Sequence, residues 1–191
     1  MNYRTTEQIR NQAVAVLKDR EIDDLDGGVD KMSDSFSLRH GPLPIVKNFK
    51  SEAEESQFIV EQIRRWLIDV APESICLAVR TNHQLVDRYQ PILEGAGIDS
   101  VQVHRDPEME ATQSGVRVAT MHRLKGLEFS CVIIAGVQDG LVPFRTRAES
   151  ADDESSRQYD LQERCLFYVA ATRARDELVV TGFGTPSSFF S

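Results

Sequence analysis

The chain has 191 residues, 41% of them hydrophobic and 27% charged, with 22 basic against 30 acidic side chains and a formal net charge of −8. That composition suits a single globular domain spanning 1–191 and argues against a protein that coats nucleic acid wholesale, which would be basic. The apolar runs are too short to cross a bilayer, so no membrane partner is expected; no leader is visible, and the isolated Cys76, Cys131 and Cys165 read as buried reduced thiols of a cytoplasmic protein.

In chain order, Thr5-Thr6-Glu7-Gln8 has the form of a capping box, opening a helix with Ile9, Ala13, Val14 and Leu17 on one face. Asp26-Gly27-Gly28 marks a turn, and a polar connection leads to a short strand at Ile45 to Phe49. Ser51 with Glu54 forms a second capping box, and its helix carries Phe58, Ile59, Ile63, Trp66 and Leu67 before Pro72. Ile75 to Val79 reads as a strand buried on both faces. Asn82 is expected to cap the next helix, which Gly95 or Gly97 ends. Further strands are expected at Ser100 to His104, Val116 to Met121, Cys131 to Val137 and Leu178 to Val180, with a helix over Leu161 to Ala171. Arg105 to Gly115 and an acidic stretch at about 139–157 read as loops. The alternation predicts an α/β fold: a parallel sheet with helices on both faces.

Open parallel sheets bind ligands at the carboxyl ends of their strands. Thr120 and His122 follow one predicted strand, and Arg80 and Asn82 follow another. Lys125 adds a cation beside Gly126, where another backbone could approach, and Glu128 adds an acceptor suited to a sugar hydroxyl. Arg173 follows Thr172 at the end of an apolar helix, and Arg4 follows Tyr3 at the amino end. Forked, permanently charged guanidinium groups suit the charge that develops on a transferring phosphoryl group. Plainer readings stand beside these: His122 as a loop histidine, Thr120 as a packed β-branched residue, Gly126 as a turn. Likewise Arg173 could pair with Asp176 or Glu177, and Tyr3 could pack on its own helix. No GxxxxGK[ST], strand-terminal Asp-Glu pair, GxSxG or HExxH occurs, so the isolated chain is expected to be inactive and to form half of a shared site.

Taken together, TMHRLKGLEF (residues 120–129) resembles motif V, and ERCLFYVAATRAR (163–175) motif VI, of the UvrD/Rep-like superfamily 1 helicases. Asn2 to Thr6 resembles motif IV, and Val79 to Asn82 a DNA-contacting segment. The resemblance implies the second RecA-like motor domain of an ATP-dependent DNA helicase or translocase. Its partners would be single-stranded DNA and an amino-terminal P-loop motor domain, which would supply the ligands for Mg²⁺ and hold ATP. By resemblance Tyr3 stacks on adenine, Arg4 and Arg173 contact the γ-phosphate, Gly126 and Glu128 lie at the nucleotide with Glu128 on the ribose, and Thr120, His122, Arg80 and Asn82 track DNA. Departures from the family pattern are Arg123 and Leu124 in place of small residues, Ala170 in place of glycine, and only the interval 105–115 where a large inserted domain is usual. The alternative reading is a non-catalytic interaction or regulatory domain that retains the helicase fold, and a third is an independent nucleotide-binding α/β protein.

Overall fold

A computed structural model describes residues 5–17, 40–103, 113–144 and 153–190. Tyr3, Arg4, the Asp26 turn and most of the 105–115 interval lie outside them. Six strands form one fully parallel sheet in the order β1-β6-β5-β2-β4-β3. They are β1 (Ile45–Phe49), β2 (Ile75–Val79), β3 (Ser100–Gln102), β4 (Val116–Thr120), β5 (Phe129–Ile134) and β6 (Ala174–Phe183). The RecA-like α/β expectation therefore holds. β6 is longer than its apolar centre suggested, because it is hydrogen-bonded to both β1 and β5 and extends along them past Leu178 to Val180.

Helix α1 (Glu7–Ala15) starts one residue later than the capping box implied. Thr6 is the cap, accepting from the Ile9 amide at 3.4 Å, which frees the Thr5 hydroxyl for a distant partner. In α2 (Glu52–Trp66), Ser51 caps as expected, accepting from the Glu54 amide at 3.3 Å, while the Glu54 carboxylate accepts from the Lys50 amide. Ile59, Ile63 and Trp66 then recur on one face and are buried.

Helix α3 covers 82–95, and its cap is Thr81, not Asn82. Thr81 has extended φ/ψ and exchanges hydrogen bonds with Gln84, whereas Asn82 is already helical. A π turn at Leu85–Tyr89 precedes Pro91, which cannot donate the next helical hydrogen bond, so the ladder is re-registered there. Helix α4 (Asp153–Ala171) begins within the stretch expected to be loop; Asp153 to Arg157 are helical, and 145–152 lie outside the described residues. No helix among the described residues is long and apolar enough to cross a membrane.

The two faces of the sheet carry separate cores. α2 and α3 cover one with Ile59, Ile63, Leu85 and Leu93 over Leu77, Val118 and Ile133. α1, α4 and a 3-10 turn at Met121–Leu124 cover the other with Ile9, Phe167, Met121 and Leu124 over Ala78, Ala119 and Val132. Each fully buried large aliphatic side chain contributes about 1.5–3 kcal/mol. Chain order and face are linked: the connections through α2 and α3, running from β1 toward β3, cross one face, and those through 121–128 and α4, returning toward β6, cross the other. That is what a uniformly right-handed crossover requires.

Because every strand runs the same way, the sheet has two chemically distinct edges. Strand starts (Phe129, Ala174) share the amino edge, and strand ends (Val79, Thr120, Ile134) share the carboxyl edge. A five-residue strand separates the edges by roughly 16 Å. Helices that return between strands run antiparallel to them, so α4 starts toward the carboxyl edge and ends at the amino edge.

Candidate functional site

The expected site residues divide between these two edges. Arg80, Asn82, Thr120 and His122 lie at the carboxyl edge, as expected. Glu128 and Arg173 do not: each immediately precedes a strand, β5 and β6 respectively, and so stands at the amino edge. The Phe129 amide donates to the Arg173 carbonyl at 3.0 Å, which joins the two positions directly. The segment 121–128 carries the chain across the sheet from one edge to the other, pinned to the core by buried Met121 and Leu124.

At the amino edge, the Arg173 guanidinium meets only uncharged oxygens. Nε donates to the Val169 carbonyl at 3.0 Å, Nη1 to the Leu127 carbonyl at 3.4 Å and Nη2 to the Thr172 hydroxyl at 3.4 Å. The plainer reading, a surface pair with its acidic neighbours, does not occur. Asp176 pairs with Arg175, and Glu177 accepts from Trp66 and Arg65. Arg173 is thus oriented by carbonyls with no carboxylate to neutralise it among the described residues. Thr5 joins the same place from 167 residues away: its buried hydroxyl donates to the Thr172 carbonyl at 2.9 Å. The residue after Arg4 and the residue before Arg173 are therefore in contact. Gly126 has φ +89 and open space around its α-carbon, so it is the turn, not close packing, that requires glycine here. Glu128 is exposed.

At the carboxyl edge, charge is already matched. Arg80 gives Nε and Nη2 to the two oxygens of Glu163 at 2.7 and 2.6 Å, and its guanidinium lies 5.2 Å from the Phe144 ring centre. Burial opposes the Arg80 charge, but the Glu163 carboxylate outweighs it and holds the guanidinium above its ordinary value. His122 is exposed, and its pKa is lowered from 6.5, first by partial burial and then by the Arg80 charge, with Glu163 opposing. Asn82 is exposed and accepts from Gln102 at 3.3 Å. Thr120 is half-buried at the end of β4.

A second buried carboxylate organises the neighbouring part of this edge. Glu55, fully buried on α2, accepts from Arg88, from the Tyr89 hydroxyl at 3.1 Å and from the Gly136 amide at 3.0 Å. Burial, and then the Glu55 charge, push the Tyr89 phenol well above its ordinary value. Sequence reasoning assigned no role to Glu55 or Glu163, yet a signal existed. Each acid occupies the buried stripe of its helix (Glu55 with Ile59, Gln62 and Trp66; Glu163 with Phe167 and Ala170), where an acid needs a cation. Cys76, Cys131 and Cys165 are unpaired thiols. The first two are buried, with Cys131 pushed up to about 12 by burial and then by Glu177 and Asp176; Cys165 is half-buried, not fully buried as expected.

Part of the sequence, and the fold as a whole, are similar to known proteins. Residues 90–184 match the UvrD-like helicase C-terminal domain. Over 78 residues, 41% of this chain, the sequence is 41% identical to the ATP-dependent DNA helicase PcrA of Staphylococcus epidermidis, and over 83 residues it is 40% identical to that of Staphylococcus aureus. These matches span about a tenth of those relatives' own length, 10% and 11%. In three dimensions the chain is similar to the crystal structure of the C-terminal domain of a possible DNA helicase from Lactobacillus plantarum WCFS1, with a TM-score of 0.70 over 100% of this chain and 93% of that one at 19% identity. Residues 90–184 are thus similar to the UvrD-like helicase C-terminal domain, on a RecA-like fold that the whole chain shares.

Proposed function

We propose that this domain is the second motor domain of an ATP-dependent DNA helicase or translocase, completing a nucleotide site whose phosphate cradle and Mg²⁺ ligands belong to an amino-terminal P-loop domain. The observation that carries this reading is Arg173: a guanidinium held by carbonyls, without a counter-charge among the described residues, beside the chain segment that follows Arg4. A half-buried cation with no carboxylate beside it among the described residues is suited to an external anion, and orientation by fixed carbonyls means little reorganisation when the anion arrives.

In this reading Arg4 and Arg173 stabilise charge on the transferring phosphoryl group. Tyr3 stacks on the adenine, Glu128 accepts from the ribose, and Gly126 lets the segment between Lys125 and Glu128 turn beside the nucleotide. Bound with its metal, ATP supplies the phosphoryl group. This chain contributes the cations and the closing surface. The carboxyl edge faces single-stranded DNA, with Thr120, His122 and Asn82 as polar contacts and Arg80 at the same edge. Closure of the cleft between two motor domains would then move that edge along the strand. The division of labour fits the two edges, since one presents the Arg173 guanidinium and the other presents exposed polar groups.

The test is to combine the chain, wild type or Arg173→Ala, with the P-loop domain of its parent protein and measure ATP binding and hydrolysis with and without single-stranded DNA. The expected result is DNA-dependent hydrolysis in the wild type and a loss of about 10³-fold or more in the variant, with ATP binding retained. Normal turnover by Arg173→Ala overturns the arginine's role. No hydrolysis with the wild type, together with tight domain association, favours a non-catalytic scaffold.

A further inference from the structure

We infer that Arg80 and Glu163 form a joint that positions α4 against the carboxyl edge, so that a single strand bound there is felt at Thr172 and Arg173 on the opposite edge. The inference rests on the nucleic-acid reading of the carboxyl edge above and makes Arg80 a positioning residue, not a phosphate contact.

The geometry at Arg80 argues against a free phosphate ligand. Its side chain is 13% exposed and that of Glu163 is 5% exposed. Both oxygens of the carboxylate are engaged by the guanidinium fork, the arrangement an arginine would otherwise offer to a phosphate. The guanidinium is further covered by Phe144, whose backbone amide donates to the same carboxylate at 3.0 Å. One buried carboxylate therefore gathers three pieces of chain: the end of β2, the α4 helix, and the turn bearing Phe144. These are the surroundings of Thr120 and His122, and the charges of Arg80 and Glu163 both reach the His122 ring.

The far end of the same helix is tied just as specifically. From Glu163 to Thr172 is about 14 Å of helical rise. There the Thr172 carbonyl accepts from Thr5, and Arg173 reaches the Leu127 carbonyl. Between the ties, Phe167, Ala170 and Ala171 are fully buried, so the helix moves as a packed rod or not at all. A displacement at Glu163 is then delivered to Arg173 instead of being absorbed along the way.

The experiment uses the 191-residue chain with a fluorescent (dT)16 oligonucleotide. Affinity is measured by anisotropy across a KCl series, and amide hydrogen exchange at residues 172–174 is followed with and without the oligonucleotide. Two variants discriminate: Glu163→Gln keeps the shape and removes the counter-charge, and Arg80→Lys keeps the charge and removes the fork. In the wild type, DNA is expected to change exchange at 172–174 by threefold or more. In both variants that change should vanish, while affinity falls less than threefold and the salt slope stays the same. A phosphate contact at Arg80 predicts otherwise: Glu163→Gln would free the guanidinium and steepen the slope by about 0.7. A steeper slope, or an undiminished exchange response in the variants, overturns the joint alone. Failure of the wild-type chain to bind the oligonucleotide at any salt overturns the nucleic-acid reading, and the joint with it.

Discussion

Two arginines on opposite edges of one sheet are treated in opposite ways. Arg80 at the carboxyl edge is closed off by a buried carboxylate, and nearby Arg88 is likewise paired with Glu55 and Glu52. Arg173 at the amino edge is oriented by carbonyls, with no carboxylate paired to it among the described residues. The contrast separates cations that hold the fold together from a cation the fold holds ready. Removing one partner of a buried pair strands the other charge in a low-dielectric setting, whereas removing Arg173 leaves uncharged oxygens without a donor. Position alone does not distinguish the two kinds of arginine. The partners do.

The sharpest way to break this comparison is stability. Arg80→Leu, which leaves Glu163 buried without its cation, is expected to cost about 3–5 kcal/mol, and Arg173→Leu no more than about 1 kcal/mol. Urea unfolding of both variants checks this; equal losses would mean that Arg173 is structural after all. Next in size is Gly182→Ala at the carboxyl end of β6, where a β-carbon would lie 2.3 Å from the Val137 carbonyl oxygen. Main chain has to move there, so a loss of about 1–3 kcal/mol is expected in the same assay.

Thr5→Val removes one buried hydroxyl bond at the amino edge and should cost about 1 kcal/mol. Its informative consequence is faster amide exchange around Thr172 while the Arg80 surroundings stay unchanged. The smallest effect concerns His122. Its folded pKa lies below the ordinary 6.5, so the neutral ring is favoured on folding. The stability this provides is present above about pH 6.5 and is lost as pH falls through the lowered folded value. His122→Gln should flatten that acid limb slightly, which thermal melts between pH 7 and pH 5 would register. An unaltered limb would show that His122 feels neither Arg80 nor burial.

Much of this could be read in advance. Five-residue apolar runs such as Ile75–Val79 announced buried parallel strands, and Ser51 with Glu54 announced the start of α2. Asn82 misled because it is an excellent cap by type, while the residue before it had the extended backbone and the Gln84 partner that a cap requires. The acidic stretch near 153–157 looked like loop because its charge masked helical residues continuous with the apolar face of α4.

The sequence by itself determined the alternation of strands and helices, hence a parallel α/β sheet, and the two motif segments by which the family is recognised. Local pattern carries that information because helix and strand periods and caps are set by residues within a few positions of each other. Only the tertiary structure decided that Glu128 and Arg173 stand together at the amino edge, that Glu163 neutralises Arg80, and that Thr5 meets Thr172 across 167 residues. Those facts depend on strand order and on which side chains share a low-dielectric space. No short window of sequence encodes either one, because both arise only when distant segments are packed against the same core.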